Sequence, residues 1–324
     1  MKILVTGGAG FIGSHIVDRC VAEGHEVRVL DNLSNSTIIN LEEHIRKRTI
    51  EFLKGDIRDQ KAVKDSIRNI DAVFHEAAQV SIPISMNDPM YTDDVNVRGT
   101  LNLLAAASEE RVERFVYASS SSVYGDPARL PVTEDTPFQP LSPYAASKIA
   151  GEAYCLSFWK AWGLPTVCLR YFNVFGSRQG SSGYASVIPA FIRSLLDRKP
   201  MTIFGDGSQT RDFVHVRDVV EANMLALEVD SALGDVFNIG SGKPTSIANL
   251  SETLRDTSKR ESPPPVHVPP RKGDVKHSVA EVTKAEKVLH WSAKVSLTSG
   301  LETLFSYYES LSKTQRDDGS SQEY

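Results

Sequence analysis

Tyr144 and Lys148 lie four residues apart in a segment with helical periodicity, Tyr144 to Trp162. Residues at that spacing share a helix face. An ammonium beside a phenol favours the phenolate, lowering its pKa until it can serve as a base near neutrality. Such pairs also fall by chance on many helices, so the pair alone decides little. Upstream runs Tyr117-Ala118-Ser119-Ser120-Ser121-Ser122-Val123-Tyr124-Gly125, which reads as a strand ending in hydroxyls. A hydroxyl there can hydrogen-bond the substrate oxygen that a phenolate deprotonates. Taken singly, a serine run is a polar loop.

A second constellation opens the chain. Thr6-Gly7-Gly8-Ala9-Gly10-Phe11-Ile12-Gly13 follows a short apolar strand and begins a helix, with glycines spaced Gly-x-x-Gly-x-x-Gly. The turn needs backbone angles and close approaches that side chains block, and the helix amides then face a pyrophosphate. The competing reading is a glycine-rich tight turn with no ligand. The next strand ends in Asp31, a carboxylate able to accept from a ribose diol and to repel a 2′-phosphate. No arginine between Asn32 and Ile39 offsets it, which favours NAD over NADP. Gly55-Asp56-Ile57 ends a third strand, where an adenine contact and a plain turn are equal readings.

The elements that must position these residues alternate. Strands are expected at Ile3–Thr6, Val27–Leu30, Glu51–Lys54, Ala72–His75, Arg114–Ser119 and Thr166–Arg170. Helical patterns occupy Phe11–Val21, Asn96–Ala107 and Tyr144–Trp162. Such β-α-β alternation predicts a parallel sheet covered on both faces, with ligands at the carboxyl ends of its strands. The second half reads as more irregular. Strand candidates there are Pro200–Gly207, Val236–Ile239 and Val266–Val268, and five prolines lie between Ser262 and Pro270. The segment from Lys313 to Tyr324 is polar and aperiodic, and is expected to be disordered.

With 324 residues and 41% hydrophobic content, the chain can build a large core and about two lobes. A net charge of -5 opposes nucleic-acid binding. The three cysteines, Cys20, Cys155 and Cys168, have neither metal-ligand nor disulfide-framework spacing and read as buried thiols in a reducing compartment. The eight histidines likewise show no metal-ligand spacing, so no metal is expected. No leader or membrane-spanning run is legible, and the default location is cytoplasmic.

Taken together, these residues resemble the extended short-chain dehydrogenase/reductases, specifically the NAD-dependent nucleotide-sugar epimerase/dehydratase family, nearest its UDP-glucose and UDP-N-acetylglucosamine 4-epimerases. The resemblance runs to about residue 310. Its landmarks are the Gly7–Gly13 turn, Asp31, Asp56, His75-Glu76-Ala77-Ala78-Gln79, Asn96, Ser119–Gly125, Tyr144 with Lys148, Arg170-Tyr171-Phe172-Asn173, Arg211-Asp212 and Arg271-Lys272-Gly273-Asp274. It implies an α/β fold: a Rossmann-type doubly wound parallel sheet over residues 1–171, with later segments returning to it. A smaller mixed α/β lobe for the nucleotide sugar would span 172–312. It also implies Ser120, Tyr144 and Lys148 as the catalytic set. Cofactor contacts would come from Gly7, Gly10, Phe11, Ile12, Gly13, Asp31, Asn32, Asp56, Ile57, Ala77, Ala78, Gln79, Asn96, Ser119, Tyr144, Lys148 and Tyr171. A UDP-sugar would meet Ser120, Ser121, Tyr144, Asn173, Val187, Thr202, Phe204, Arg211, Arg271, Asp274 and Ser278. A homodimer would form through helices near Asn96–Ala107 and Tyr144–Trp162. His215 is read as structural.

The reaction is narrowed by what the chain lacks. Related dehydratases carry Asp-Glu just before the Val-Tyr-Gly turn, and related decarboxylases a Glu at the second position. Here those positions are Ser121 and Ser122. The chemistry that needs no extra carboxyl is C4 epimerisation. A small Ser278, where sugar-restricted members often carry Tyr, makes room for an N-acetyl group. The Ser119–Ser122 run also occurs in UDP-glucuronate 4-epimerases, so a uronate substrate stays open. So do another nucleotide-sugar reaction (dehydratase, decarboxylase or reductase) and a catalytically silent NAD-binding regulatory protein.

Overall fold

The structure, a computed structural model, describes residues 1–179, 186–270 and 275–318, without the side chains of 313–318. Its strands are β1 (Lys2–Thr6), β2 (Glu26–Asp31), β3 (Ile50–Lys54), β4 (Ala72–His75), β5 (Arg114–Ser120), β6 (Thr166–Tyr171), β7 (Asn173–Phe175), β8 (Thr202–Phe204), β9 (Thr210–His215), β10 (Asp235–Ile239), β11 (Pro244–Ser246) and β12 (Val266–Val268). Seven of them form one sheet in the order β10-β6-β5-β4-β1-β2-β3, and every pairing in it is parallel. The chain moves outward one way from β1 through β2 to β3, and the other way from β4 through β5 to β6. The order therefore reverses between β1 and β4, where parallel sheets open a crevice for ligands.

Strand residues alternate between two cores, as the two-residue period of a doubly covered strand requires. Ile3, Val5, Phe74, Val116 and Leu169 face one core, together with Ile16 and Cys20 of α1 (Phe11–Ala22). Leu4, Val73, Phe115 and Cys168 face the other. Helices α2 (Glu42–Lys47), α3 (Gln60–Ile67), α4 (Ile82–Asn87), α5 (Pro89–Asp93), α6 (Gly99–Glu109) and α7 (Pro143–Trp162) follow in chain order. Leu103 and Leu104 of α6 and Cys155 of α7 fill the second core. The expected Asn96–Ala107 helix begins as a π turn over Asp94–Arg98 before α6.

The second half is more helical than its sequence reads. It holds α8 (Val187–Leu196), α9 (Val216–Glu228), α10 (Ile247–Ser258) and α11 (Leu297–Asp318). Pro189 makes α8 look broken, but it sits in the first turn, where a missing N–H costs nothing. Ile247, Leu250 and Leu254 join Leu301, Leu304 and Phe305 in a third core with Phe175, Ile188 and Phe191. Val219 and Ala226 of α9 and Phe237 of β10 pack instead on the first core. The strand expected over Pro200–Gly207 shrinks to β8, ended by Gly205 and Gly207, both at positive φ. The backbone of α11 continues to Asp318, past the Lys313 at which the sequence reads as disordered; a helix nucleated by a packed segment extends at little cost.

Candidate active site

A cavity of about 730 Å³ opens at the carboxyl ends of the central strands, and residues from both sides of the β1/β4 reversal line it. On one side lie Gly7, Gly10, Phe11, Ile12 and Gly13, and on the other Glu76, Ala77, Ala78 and Gln79. Gly7 has φ +68°, and a Cβ on it would lie 2.7 Å from the Ala77 nitrogen. A Cβ on Gly13 would lie 2.3 Å from the Gly7 carbonyl oxygen. Gly10 caps α1 without any side-chain hydrogen bond to the first-turn amides. The turn thus leaves backbone donors facing a space that any side chain would fill, which fits a dinucleotide pyrophosphate.

Asp31, Asn32, Asp56 and Ile57 line the other end of the same cavity. Asp31 is buried and tightly held: its Oδ2 accepts from Ala9 N at 3.0 Å, and its Oδ1 from Leu33 N and Ser36 Oγ at 2.8 Å. Asp56 accepts from Arg58 Nη2 and Asn32 Nδ2, both at 2.8 Å, and from the Arg58 amide at 2.9 Å. The Arg58 guanidinium is the main reason its carboxyl is held down at about 2. Arg58, which also pairs with Asp94, escaped the sequence reading although it stands two residues from Asp56.

Ser119, Tyr144, Lys148 and Tyr171 line the chemical end. Helix α7 begins where Ser142 caps it, its Oγ accepting from Ala145 N at 3.2 Å, with Pro143 in the first turn. That start puts Tyr144 and Lys148 one turn apart beside β5. Lys148 Nζ donates to the Ala118 carbonyl at 2.7 Å and sits 5.0 Å from the centroid of the Tyr117 ring. The ammonium therefore does not produce the depressed phenol expected from the sequence. Burial raises the Tyr144 pKa, a hydrogen bond with the Ser120 hydroxyl lowers it, and the Glu76 carboxyl raises it. Burial also brings Lys148 down to about 8, against the upward pull of Glu76.

One expected contact sits one layer back, and another, Ser119, lines the cavity but spends its hydroxyl on the protein. Asn96 is 1% exposed and outside the cavity lining. Its Oδ1 accepts from Gln79 N at 2.7 Å, and its Nδ2 donates to Gln79 O and Ser147 Oγ at 2.9 Å, so it clamps the loop that faces the cofactor space. Ser119 Oγ donates to Glu152, which holds Arg170 through two bonds of 2.8 Å. Arg170 also donates to Tyr124 Oη at 2.8 Å and packs between the Tyr124 and Phe138 rings. This buried pair ties β5, β6 and α7 together beneath the catalytic residues.

Of the expected sugar-nucleotide contacts, Tyr144 lines the cavity, whereas Ser120, Ser121 and the described residues of the second half lie outside its lining. Asn173 starts β7, Val187 starts α8, Thr202 and Phe204 bound β8, and Arg211 lies on β9. Ser121 opens the turn after β5. Ser278 donates its amide to Thr210 O at 3.2 Å, which brings it beside Arg211. Arg271 and Asp274 lie outside the described residues. Asp212, a family landmark, is fully buried and accepts from the amides of Ser241, Gly242 and Ala280, so it fastens the lobe. His215 caps α9 through Nδ1, and burial lowers it to about 4, in keeping with a structural residue. Glu76, to which the sequence alone assigns no role, lines the cavity and accepts from Tyr171 Oη at 2.8 Å. Its signal was an acidic residue directly after the β4 strand. Among the described residues no cluster suits a metal ion, and no helix is long and apolar enough to cross a membrane.

Residues 3–240 match the family described as NAD dependent epimerase/dehydratase. A UDP-glucose 4-epimerase of Mycolicibacterium smegmatis is 39% identical over 97% of this chain and 100% of its own length. Among solved structures, a UDP-glucose 4-epimerase from Thermotoga maritima with UDP-glucose superposes with a TM-score of 0.91 at 39% identity, covering 96% of this chain and 99% of that one. A UDP-N-acetylglucosamine 4-epimerase from Methanobrevibacter ruminantium in complex with UDP-N-acetylmuramic acid gives 0.91 at 35% identity, with 96% and 98% covered. A UDP-glucuronic acid 4-epimerase from Bacillus cereus with UDP-glucuronic acid and NAD gives 0.89 at 34%, with 96% and 100% covered.

Proposed function

Because the chain belongs to the NAD dependent epimerase/dehydratase family, we propose that it is a UDP-hexose 4-epimerase. It interconverts UDP-glucose with UDP-galactose, and accepts UDP-GlcNAc and UDP-GalNAc as well. The observation that supports this reading is that Tyr144 and Lys148 line the cavity and the Ser120 hydroxyl hydrogen-bonds Tyr144, with serines and no carboxyl at positions 121 and 122. When bound, NAD supplies a reversible hydride acceptor for C4 and positive charge that lowers the Tyr144 pKa. Tyr144 takes the O4 proton while Ser120 hydrogen-bonds that oxygen. The 4-keto sugar turns its other face, and Tyr144 returns the proton when C4 is reduced from that side. Lys148, anchored on the Ala118 carbonyl, keeps a fixed cation beside this exchange. Arg211 and Arg271 hold the diphosphate.

The gate reading rests on Ser278, half-buried against Thr210 O. A panel of UDP-Glc, UDP-GlcNAc and UDP-glucuronate, with C4 configuration read by NMR, tests all of this. Turnover of both hexose pairs is expected. A stable keto product or loss of CO2 would replace the 4-epimerase reading with another reaction, and uronate turnover alone would replace its substrate.

The lobe boundaries at 171 and 312 and the homodimer belong to the same proposal. On α7, Trp162 is 63% and Tyr154 37% exposed, apolar side chains that a second copy would cover. Sedimentation giving a monomer at micromolar concentration would remove the dimer. A cytoplasmic location is supported by three free, buried thiols, and fractionation of the source cells tests it.

A further inference from the structure

Glu76 is the first residue after β4, at the point where the strand order reverses. Its backbone is pressed against the glycine turn: a Cβ on Gly7 would lie 2.9 Å from the Glu76 carbonyl carbon. Its side chain faces the cofactor cavity. One oxygen, Oε1, accepts from Tyr171 Oη; among the described residues the other takes no hydrogen bond.

The charge around it is simple. From α7, Lys148 and Tyr144 act on it or are acted on by it. From β6 comes Tyr171, and behind that hydroxyl Asn223 of α9, bonded to Tyr171 Oη through Nδ2 at 2.8 Å and lying 3.0 Å away through Oδ1. Other carboxylates near the cavity are already matched. Glu152 is paired with Arg170, Asp56 with Arg58, and Asp31 accepts three protein donors. The Arg178 cation is paired with Asp18. Among the described residues, Glu76 is the acid at the chemical end whose only nearby cation is Lys148.

We propose that Glu76 is the counter-charge of the cofactor site, a positioning residue whose carboxylate favours oxidised over reduced nicotinamide. The oxidised ring carries a positive charge and the reduced ring none. A fixed carboxylate in a half-buried cleft therefore binds the two forms unequally. By reciprocity, the oxidised ring holds Glu76 ionised and the reduced ring lets it take up a proton. The Tyr171–Asn223 pair serves both states. Facing a carboxylate, Tyr171 donates to Glu76 and accepts from Asn223 Nδ2. Facing a carboxylic acid, it accepts from Glu76 and donates to Asn223 Oδ1. Burial lifts Glu76 to about 7, the range in which a nearby cation can switch it. The preference is present above that range and fades as the pH falls through it. It serves an enzyme that must finish each turnover with its cofactor oxidised, but rests only on NAD binding, whatever the sugar.

The test is the affinity ratio of NAD⁺ to NADH for the full-length protein without sugar, read by NADH fluorescence and by displacement with NAD⁺. In Glu76→Gln the ratio should fall about tenfold near pH 8 through weaker NAD⁺ binding, while NADH binding stays close to wild type. Glu76→Asp, which keeps the charge, should retain most of the ratio. In the unmodified protein the ratio should itself fall as the pH is lowered from about 8 to about 6. A ratio unchanged in Glu76→Gln, or equal losses for both nucleotides, would overturn the proposal. So would an aspartate variant that behaves like the glutamine one, or a flat pH profile of the wild-type ratio.

Discussion

The amino-terminal half of the chain and its second half are built by different means. In the first, the working groups lie within a few residues of strand ends, and the backbone itself does much of the work: Gly7 and Ala77 touch, and α1 offers its first-turn amides. In the second, the residues assigned to the sugar nucleotide come from β7, β8, β9, the start of α8 and the 278 segment. Buried side chains such as Asp212 draw these distant segments together. A site fixed by local backbone geometry tolerates few substitutions, because a Cβ has nowhere to go. A site assembled from separate loops can exchange side chains one at a time, and relatives of one fold do differ in the sugar their names record.

The contrast is broken most forcefully at Tyr144. Tyr144→Phe keeps the ring and removes the base, so turnover should fall by about 10²–10⁴-fold with NAD still bound. Measuring turnover beside bound-cofactor absorbance checks both halves of that statement. If activity survives, the catalytic assignment fails. Next in size is Arg170→Met. It leaves the Glu152 carboxylate buried without its partner, which should cost about 3–5 kcal/mol of stability in chemical denaturation. Removing both charges together, in Glu152→Leu/Arg170→Met, should recover a good part of that loss. Equal losses in the single and double variants would show that the pair is not what holds β5, β6 and α7.

Legibility followed the same division. The strand ends, the glycine turn and the Tyr144/Lys148 spacing could be read because each depends on neighbours in sequence. What Lys148 does could not. Its ammonium goes to the Ala118 carbonyl, thirty residues away in the chain, and only the packing of α7 on β5 decides that. Asn96 was read as touching the cofactor, whereas the fold turns it onto the backbone of Gln79. Glu76 stands within the His75–Gln79 motif, but an acid after a strand has meaning only once Tyr171 and Lys148 lie beside it. In the lobe, α8 was obscured by Pro189 and α10 by its short apolar stripe, whose partners in α11 lie some fifty residues on.

Gly7→Ala separates the two halves by ligand. Alanine at φ +68° costs about 1–2 kcal/mol, before any contact with Ala77 is relieved. NAD retention should drop at least tenfold, while UDP binding, measured by calorimetry, stays within about threefold. Loss of both ligands together would mean that the glycine turn and the lobe fold as one unit.

The most confined expected effect is that of Ser278→Tyr, which touches one substrate and leaves the cofactor turn alone. Ser278 is half-buried, and its amide is fixed on Thr210 O next to Arg211, so the new ring has a defined starting direction. Adding that bulk beside the C2 substituent should lower kcat/KM for UDP-GlcNAc by about 10–100-fold, the range that steric exclusion in a pocket supplies. UDP-Glc should lose less than about threefold, since a C2 hydroxyl needs little room. NAD retention should not move, because among the described residues no backbone hydrogen bond joins the glycine turn to this segment. A parallel loss for both sugars would mean that position 278 supports the nucleotide rather than gating the sugar. The breadth of substrate would then have to be sought in Val187, Thr202 and Phe204.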